Sequence, residues 1–584
     1  MELVFRNKIF VLTKTSKMKQ PIICLFLLTS LGLSAQDKKS KVSVSGNMGV
    51  TYEGYGLNRN PTGWTGYSQR KPWNQVRFTF QPTITTPKFS LPFNFNFNTT
   101  PTNFIGPYAG IGKQSFGQYI TNPSNNFAVN PKYKWAELQL GTQYLNYSNL
   151  STGDVGVFGA GFDLRPDVWR LKFFTGVSQQ GVNFFSGGAN GSYKRKNWMA
   201  QLGMEKEDSY ALLFNFAKGK DDKNSIPLPP PGSVLPQEGF TMSVVGKVNI
   251  KGGWYLSTEG AQSIYTKDLF LPTSATAVTI KPFLDGNTST VKDFAAEGMV
   301  GRKSKNFDIG VKVKYIGAGF QTVGYPFMQP DRMDYLLNTR FNAFKNKTNV
   351  TASIGQRVNN VSNTTLKAKQ FIGKLNWFSQ INDNWSVNIN YNNFGFQSNS
   401  GINPFGIKNV SNDFGIAPTY TWSNTKMIHL LSLSYNYSKY DERDVITGLT
   451  TSNNTHTGLL TYVPSFLTKD LTPDFSVMYF INKLPGFKTT LATISTGLAL
   501  PAMKKKLQLR GQLQYTFSKN NTFTANNNFI ASCTIDAKLN KKTTWTNFLS
   551  TNYFKHGNEL GLPFIGANYL ESNFRTGLMY RFGK

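Results

Sequence analysis

At 584 residues the chain exceeds one ordinary soluble core, yet no linker or change of texture divides it. Charged residues are only 16% and aromatics 14%, with 47 Phe and 26 Tyr, a balance that suits a wall with one apolar and one polar face better than a large soluble enzyme. The formal charge is +32, but lysines and arginines are scattered singly without a recognition-helix pattern, so nucleic acid is not the expected partner. Anionic lipopolysaccharide, an anionic solute in a lumen or an acidic protein accounts for the charge as well.

The chain opens on a targeting signal. Lys17, Met18, Lys19 and Gln20 form a basic region, the apolar run Pro21–Leu33 follows, and Ser34, Ala35 and Gln36 supply small residues for cleavage after Ala35. That core is too short to span a bilayer as a helix. Met18 reads as the signal's own start, with Met1–Lys17 an upstream extension. Residues 1–35 are thus set aside, and 36–584 form one body. It keeps one cysteine, Cys533, which lies on an apolar strand face with Phe529, Ala531 and Ile535.

No later stretch approaches 18 uncharged apolar residues, which excludes helical spans. Period two recurs instead, starting at Val42, Val44, Met48, Val50 and Tyr52. It continues through Phe93, Phe95, Phe97; Met242, Val244, Val248, Ile250; Ile309, Val311, Val313, Tyr315; Trp385, Val387, Ile389, Tyr391; and Leu507 to Phe517. Such alternation makes one strand face apolar and the other polar. Many runs reach ten residues, the length of a tilted membrane strand. Asn, Lys and Gln stud the polar face, and aromatics gather at run ends: Trp73, Phe78, Phe80; Tyr144, Tyr147; Trp198; Trp254, Tyr255; Tyr435, Tyr437, Tyr440; Trp545, Tyr553. Girdles at two interfaces predict that placement.

Asn382–Asn384, Lys303–Asn306 and Lys519–Asn521 read as short turns. Gly219–Glu238, Asp268–Val291, Gln397–Asn412 and Glu442–Asn454 read as longer connections. The expected fold is all-β: a single transmembrane antiparallel barrel of about 22 to 26 strands, even in number, closed because an open edge would leave backbone groups unpaired in hydrocarbon. Ser90–Lys134 is a candidate internal constriction, with a long outer loop as the alternative. Thr51–Gln75 could make a small inward segment.

The signal ending Leu33-Ser34-Ala35-Gln36, the run Tyr315–Tyr325, Phe344-Lys-Asn-Lys347 leading to Ser353–Arg357, and Phe371–Leu375 resemble hairpins of large outer-membrane β-barrel proteins of the Bacteroidota. The final run Phe574–Phe582 resembles the aromatic-ended strand by which such barrels are recognised for assembly, although Gly583 and Lys584 follow the last aromatic. That group includes transport pores, TonB-dependent receptors and barrels serving secretion or assembly machines. Strand alternation begins a few residues past the signal, which leaves no room for a TonB-type plug domain.

Chemistry is sparse. His429, His456 and His556 are far apart: His429 reads as a satisfied barrel residue, the other two as loop or strand-end residues. Ser432 and Ser434 lie near His429 in sequence, but adjacent strand residues point to opposite faces. Gly159-Ala-Gly161 and Gly317-Ala-Gly319 sit in strand patterns, where glycine marks bends or close wall packing. Acidic groups at run ends (Glu205, Glu207, Asp208; Asp221, Asp222; Asp441, Glu442, Asp444) suit a solvated rim better than a Ca²⁺ site. Lys194, Arg195, Lys196 and Lys504, Lys505, Lys506 stand where lipid phosphates could be met. No catalytic, cofactor-binding or metal site is assigned, and no enzyme activity is expected. Two functions remain open: a porin-like channel for small, anionic solutes, or a barrel subunit of a larger complex for secretion, nutrient uptake or barrel assembly. The expected location is the outer membrane, and the expected partners are its lipids, lipopolysaccharide and other outer-membrane or periplasmic proteins.

Overall fold

The computed structural model describes residues 42–59, 71–99, 116–121, 125–184, 191–365, 367–398, 407–443, 447–521, 525–557 and 568–583. The signal segment therefore lies outside the described residues. The first strands are β1 Ser43–Arg59, β2 Asn74–Thr85, β3 Phe89–Asn98, β4 Asn126–Val129, β5 Lys132–Tyr133, β6 Ala136–Leu145, β7 Val155–Leu164, β8 Trp169–Gln179 and β9 Lys194–Lys206. Next come β10 Tyr210–Asp222, β11 Glu238–Asn249, β12 Trp254–Thr266, β13 Thr290–Lys303, β14 Phe307–Ile316, β15 Arg332–Ala343, β16 Thr348–Asn359, β17 Ala368–Gln380 and β18 Trp385–Ser398. The last are β19 Ile407–Ser423, β20 Met427–Arg443, β21 Thr450–Phe466, β22 Thr472–Leu484, β23 Phe487–Ala502, β24 Leu507–Asn520, β25 Asn526–Lys538, β26 Thr543–Lys555 and β27 Tyr569–Phe582. One short helix, α1 Phe116–Ile120, lies between β3 and β4.

Apart from β4 and β5, each strand pairs antiparallel with its neighbours in sequence, and β27 returns to β1 along a continuous register from Gly46↔Phe582 to Arg59↔Tyr569. β4 and β5 share one place between β3 and β6, so the closed barrel has 26 staves. Closure leaves no unpaired edge for hydrocarbon to penalise. The even count falls within the range expected from sequence.

Outward positions carry the apolar half of each alternation. On β10, Leu212 and Phe214 are exposed on the outside while Asn215 and Ala217 point inward. Phe80, Phe93, Phe95 and Phe127 make an outer aromatic cluster, with the Phe95 and Phe127 rings stacked at 4.6 Å. Cys533 is exposed on this face, as its strand context implies. Trp385, Tyr420, Trp422 and His429 stack successively at 4.7, 5.1 and 4.8 Å near one rim. Tyr435 and Tyr437 flank His456 toward the other. Their spacing along the strands matches an apolar band bounded by two girdles. Tyr147 and Tyr255 depart from the expected girdle: the former hydroxyl is buried inside the barrel, and the latter donates inward to Asp308 at 2.9 Å.

All the shortest connections but one share the rim that holds both strand termini of the barrel. Three of them use the same device: the Oδ1 of Asn382, Asn424 or Asn540 accepts backbone N–H groups two and three residues on, at 2.8–2.9 Å. That cap closes a tight turn without glycine. The longer connections rise from the opposite rim. The link after Asn520 belongs to that rim too, so Lys519–Asn521 is not one of the short-rim turns. Short periplasmic turns and longer extracellular loops are how outer-membrane barrels are built, and the outer membrane is where this chain resides.

Candidate functional site: the lumen and its inner ledge

Two segments fold into the barrel from the long-loop rim. Residues 146–154 join β6 to β7, and residues 317–331 join β14 to β15. The second is closed at its base by the Asp331 N–H donating to the Gly317 carbonyl at 3.1 Å. The two meet in a parallel bridge between Thr152 and Gly324, where Gly153 N–H donates to the Gly324 carbonyl at 2.9 Å. Thr322 Oγ1 donates to the Ser151 carbonyl at 2.8 Å.

Apolar packing holds this ledge against the wall. Leu150, Phe320 and Met328 pack with Ala261, Ala295 and Ile316, while Val323 packs with Phe174, Met199 and Ala217. Inner-wall residues here are small or apolar where the lipid-facing alternates are large, so the ledge has a core of its own. Burying such groups contributes roughly 1.5–3 kcal/mol for each large side chain.

Polar anchors fix the ledge's register. Glu259, on the inner face of β12, accepts the backbone N–H groups of Asn149 and Leu150 at 3.1 and 3.2 Å. Asn149 Nδ2 donates to Glu297 at 2.6 Å, and Lys312 and Lys314 pair with that carboxylate at 3.1 and 3.4 Å. Gln201, Asn215 and Ser243 continue the network to Ser148. Further round the wall, near the long-loop ends of β15 and β16, Asp334 and Arg357 form a two-bonded pair at 2.6 and 3.0 Å. Buried charges are tolerated only when paired in this way.

The ledge covers one wall only. Inner positions Gln201, Asn215, Thr241 and Ser263 are buried, whereas Lys374, Asn376, Asn388, Asn390, Arg510 and Gln512 on β17, β18 and β24 are exposed on the inside. The lumen therefore has a packed side and an open polar side.

Several expectations change on this geometry. Ser90–Asn98 and Asn126–Tyr133 are wall strands, not a constriction; the stretch 100–115 between them lies outside the described residues. Thr51–Arg59 and Asn74–Gln75 are likewise wall, with 60–70 outside the described residues. Gly317 and Gly319 are not strand residues: β14 ends at Ile316, and the Gly319 N–H donates to Asp293 at 2.6 Å as the chain turns inward. The run Tyr315–Tyr325 is thus the start of the ledge and not a hairpin. Gly159 and Gly161 do mark close wall packing, since a Cβ would fall 1.9 and 2.2 Å from carbonyls of β8.

The histidines stay apart. His429 Nδ1 meets the Tyr462 hydroxyl at 2.8 Å on the outer face, while Ser432 bonds Thr419 at 3.2 Å on the inner one. His456 lies in the middle of β21 and not at a strand end, with its Nδ1 at 2.8 Å from the Tyr435 hydroxyl. His556 follows β26 directly. Three of the rim carboxylates are engaged by cations: Glu205 with Arg170 at 3.0 Å, Asp221 with Arg195 at 2.7 Å, and Asp441 with Lys408 at 3.0 Å. Asp444 lies outside the described residues.

No family model matches the chain, and no curated protein matches it. Among solved structures it is similar in outline to the translocation pore of the P pilus usher PapC, at TM-score 0.36 and 10% identity over 92% of this chain and 98% of that one. A second is the E. coli P pilus tip assembly intermediate PapC-PapD-PapK-PapG, at 0.42 and 9% over 93% of this chain and 62% of that one. A third is the FpvAI–pyocin S2 complex, at 0.36 and 10% over 91% and 73%. Likeness at this level says nothing of function.

Proposed function

We propose that the chain is a non-enzymatic barrel subunit of a larger outer-membrane complex for secretion, nutrient uptake or barrel assembly, and that its lumen holds or passes something larger than a small solute. Barrel width carries this reading. At about 4.8 Å between strands and a tilt of about 40°, 26 staves give a wall perimeter of about 160 Å. Barrels of 16–18 strands already leave an aqueous channel. The ledge lines one side and leaves the polar side exposed, so a chain working alone as a sieve would have a wide opening to restrict.

The channel reading keeps one support, the exposed polar stripe of Asn388, Asn390 and Asn392 on β18. Lys312, Lys314, Arg357 and Arg195 on the inner wall are paired with carboxylates, so an anion preference would rest on cations of the open side such as Lys374 and Arg510. Membership among the Bacteroidota barrels rests on the signal and hairpin texture.

The test is extraction of the tagged chain from its native membrane in mild detergent, followed by sizing and by polymer exclusion in planar bilayers. Stable co-extracted protein, and conductance blocked only by large polymers, support the subunit reading. A solitary particle that excludes small sugars overturns it in favour of the channel.

A further inference from the structure

Lysines cluster at several turns of the short-turn rim. The turns 344–347, 503–506 and 539–542 contain Lys345, Lys347, Lys504, Lys505, Lys506, Lys541 and Lys542 and no acidic residue. Lys347 meets Asp383 at 3.8 Å and Lys505 meets Asp470 at 2.7 Å. The others make no ion pair among the described residues.

A second feature recurs beside these lysines. Ile250 precedes Lys251, Phe344 precedes Lys345, Met503 precedes Lys504, Leu467 stands two before Lys469, and Leu539 two before Lys541. All five apolar side chains are exposed, Phe344 at 77% and Met503 at 72%. Lys345, Lys504 and Lys505 also hold left-handed backbone, at φ 55°, 55° and 67°, where Asn or Gly would sit with less strain. These turns keep lysine against the local preference.

We infer that the short-turn rim is a binding collar for anionic phospholipid. At each such turn the apolar side chain enters the edge of the hydrocarbon, and the neighbouring lysines take headgroup phosphates. Amphipathic lysine stems suit this, with methylenes along the apolar surface and the ammonium in the headgroup layer. The pairing of a large apolar residue with lysine recurs at five turns from Ile250 to Leu539, an arc of more than half the perimeter. An acidic protein would use a narrower sector and would not need an exposed apolar partner beside the lysines. The inference does not depend on what the lumen carries.

Full-length barrel reconstituted in phosphatidylcholine, with brominated phosphatidylglycerol or brominated phosphatidylcholine added, reports lipid preference through tryptophan quenching. Trp545 stands three residues from Lys542, within reach of such lipid. The wild type is expected to prefer phosphatidylglycerol by about fivefold at low salt, falling toward parity at high salt. Replacing Lys345, Lys504, Lys505, Lys506, Lys541 and Lys542 by Gln is expected to remove most of that preference. Equal quenching by the two lipids in the wild type, or an unchanged preference in the folded variant, overturns the inference. If the variant does not fold, the wild-type lipid and salt comparison decides alone. Loss of a co-extracted acidic protein from the variant, with lipid preference intact, assigns the rim to a protein and overturns the lipid collar.

Discussion

Glu259 and Leu150 are 109 residues apart in sequence, yet the carboxylate accepts the Leu150 backbone N–H at 3.2 Å inside the barrel. With its second oxygen on Asn149, Glu259 binds a turn of chain that would otherwise have to satisfy its own amides. The apolar contacts of Leu150 and Phe320 supply adhesion, and the carboxylate supplies register. The two segments of the ledge are also bonded to each other, so loosening one exposes the other.

Glu259→Ala leaves the two buried amides without an acceptor. The expected penalty is about 2–4 kcal/mol, confined to the ledge because the wall's strand pairing is untouched. Glu259→Gln keeps one good acceptor and should lose about half as much. Hydrogen exchange at 146–154 and 317–331 checks this: protection should fall in the order wild type, Gln, Ala. Unchanged exchange in the Ala variant would mean that packing alone holds the ledge.

Gly317→Ala tests the turn into the lumen. A Cβ there would fall 2.3 Å from Asp293 Oδ1, and Asp293 is pinned by the Phe294 and Gly319 N–H groups at 2.7 and 2.6 Å. The carboxylate cannot retreat without releasing the loop, so a loss of about 1–3 kcal/mol is expected. Gly458→Ala is the control, since nothing lies within 4 Å of its Cβ position. Protease sensitivity of 317–331 should rise in the first variant and stay at the wild-type level in the second.

His556 gives the long-loop rim a pH dependence. Burial pushes its imidazole below the ordinary histidine value, and the ring packs edge-on against Phe554 at 4.5 Å. The unfolded segment takes a proton in the ordinary range, while the folded one resists until its depressed value. Acidification through that window therefore removes local stability that is fully present above it. Proteolysis at 555–557 carried out at pH 5 and at pH 7.5 with a protease active at both, each rate taken relative to an unfolded peptide of the same sequence, should be relatively faster at pH 5, and His556→Gln should abolish the difference.

The wall was legible because period two is imposed by the membrane on every strand: Leu507, Leu509, Leu513, Tyr515 and Phe517 lie on the outer face of β24 as their spacing implies. Closure follows from hydrogen bonding in hydrocarbon, and an even count from closing with antiparallel pairs throughout, so they too could be read early. The ledge could not. Gly317, Gly319 and Gly324 fit a strand-like run, and only Pro326 and Pro330 mark the segment as non-strand. Glu259 looks like any other polar-face residue of a patterned strand, because its partners come from a loop that local pattern does not place. The paired inner-wall cations were equally hidden: net charge of the chain does not say which surface holds it.

The packed and open sides of the lumen make the sharpest prediction. In a Cys533→Ser background, which removes the one cysteine among the described residues, cysteines placed at Lys374 and Gln512 should react quickly with a bulky, charged maleimide. Both positions point inward and are exposed. Cysteines at Asn215 and Ala217 also point inward, but the ledge covers them, and they should react at least tenfold more slowly. Adding Glu259→Ala should raise the rate at Asn215, whose network runs through Ser243 to the ledge residue Ser148, and leave the rate at Gln512 alone. Equal rates at all four positions would show that the ledge is not seated against the wall in the membrane. Slow reaction at Lys374 and Gln512 in purified protein would show that the open side is filled, and the filling group would be the next thing to identify.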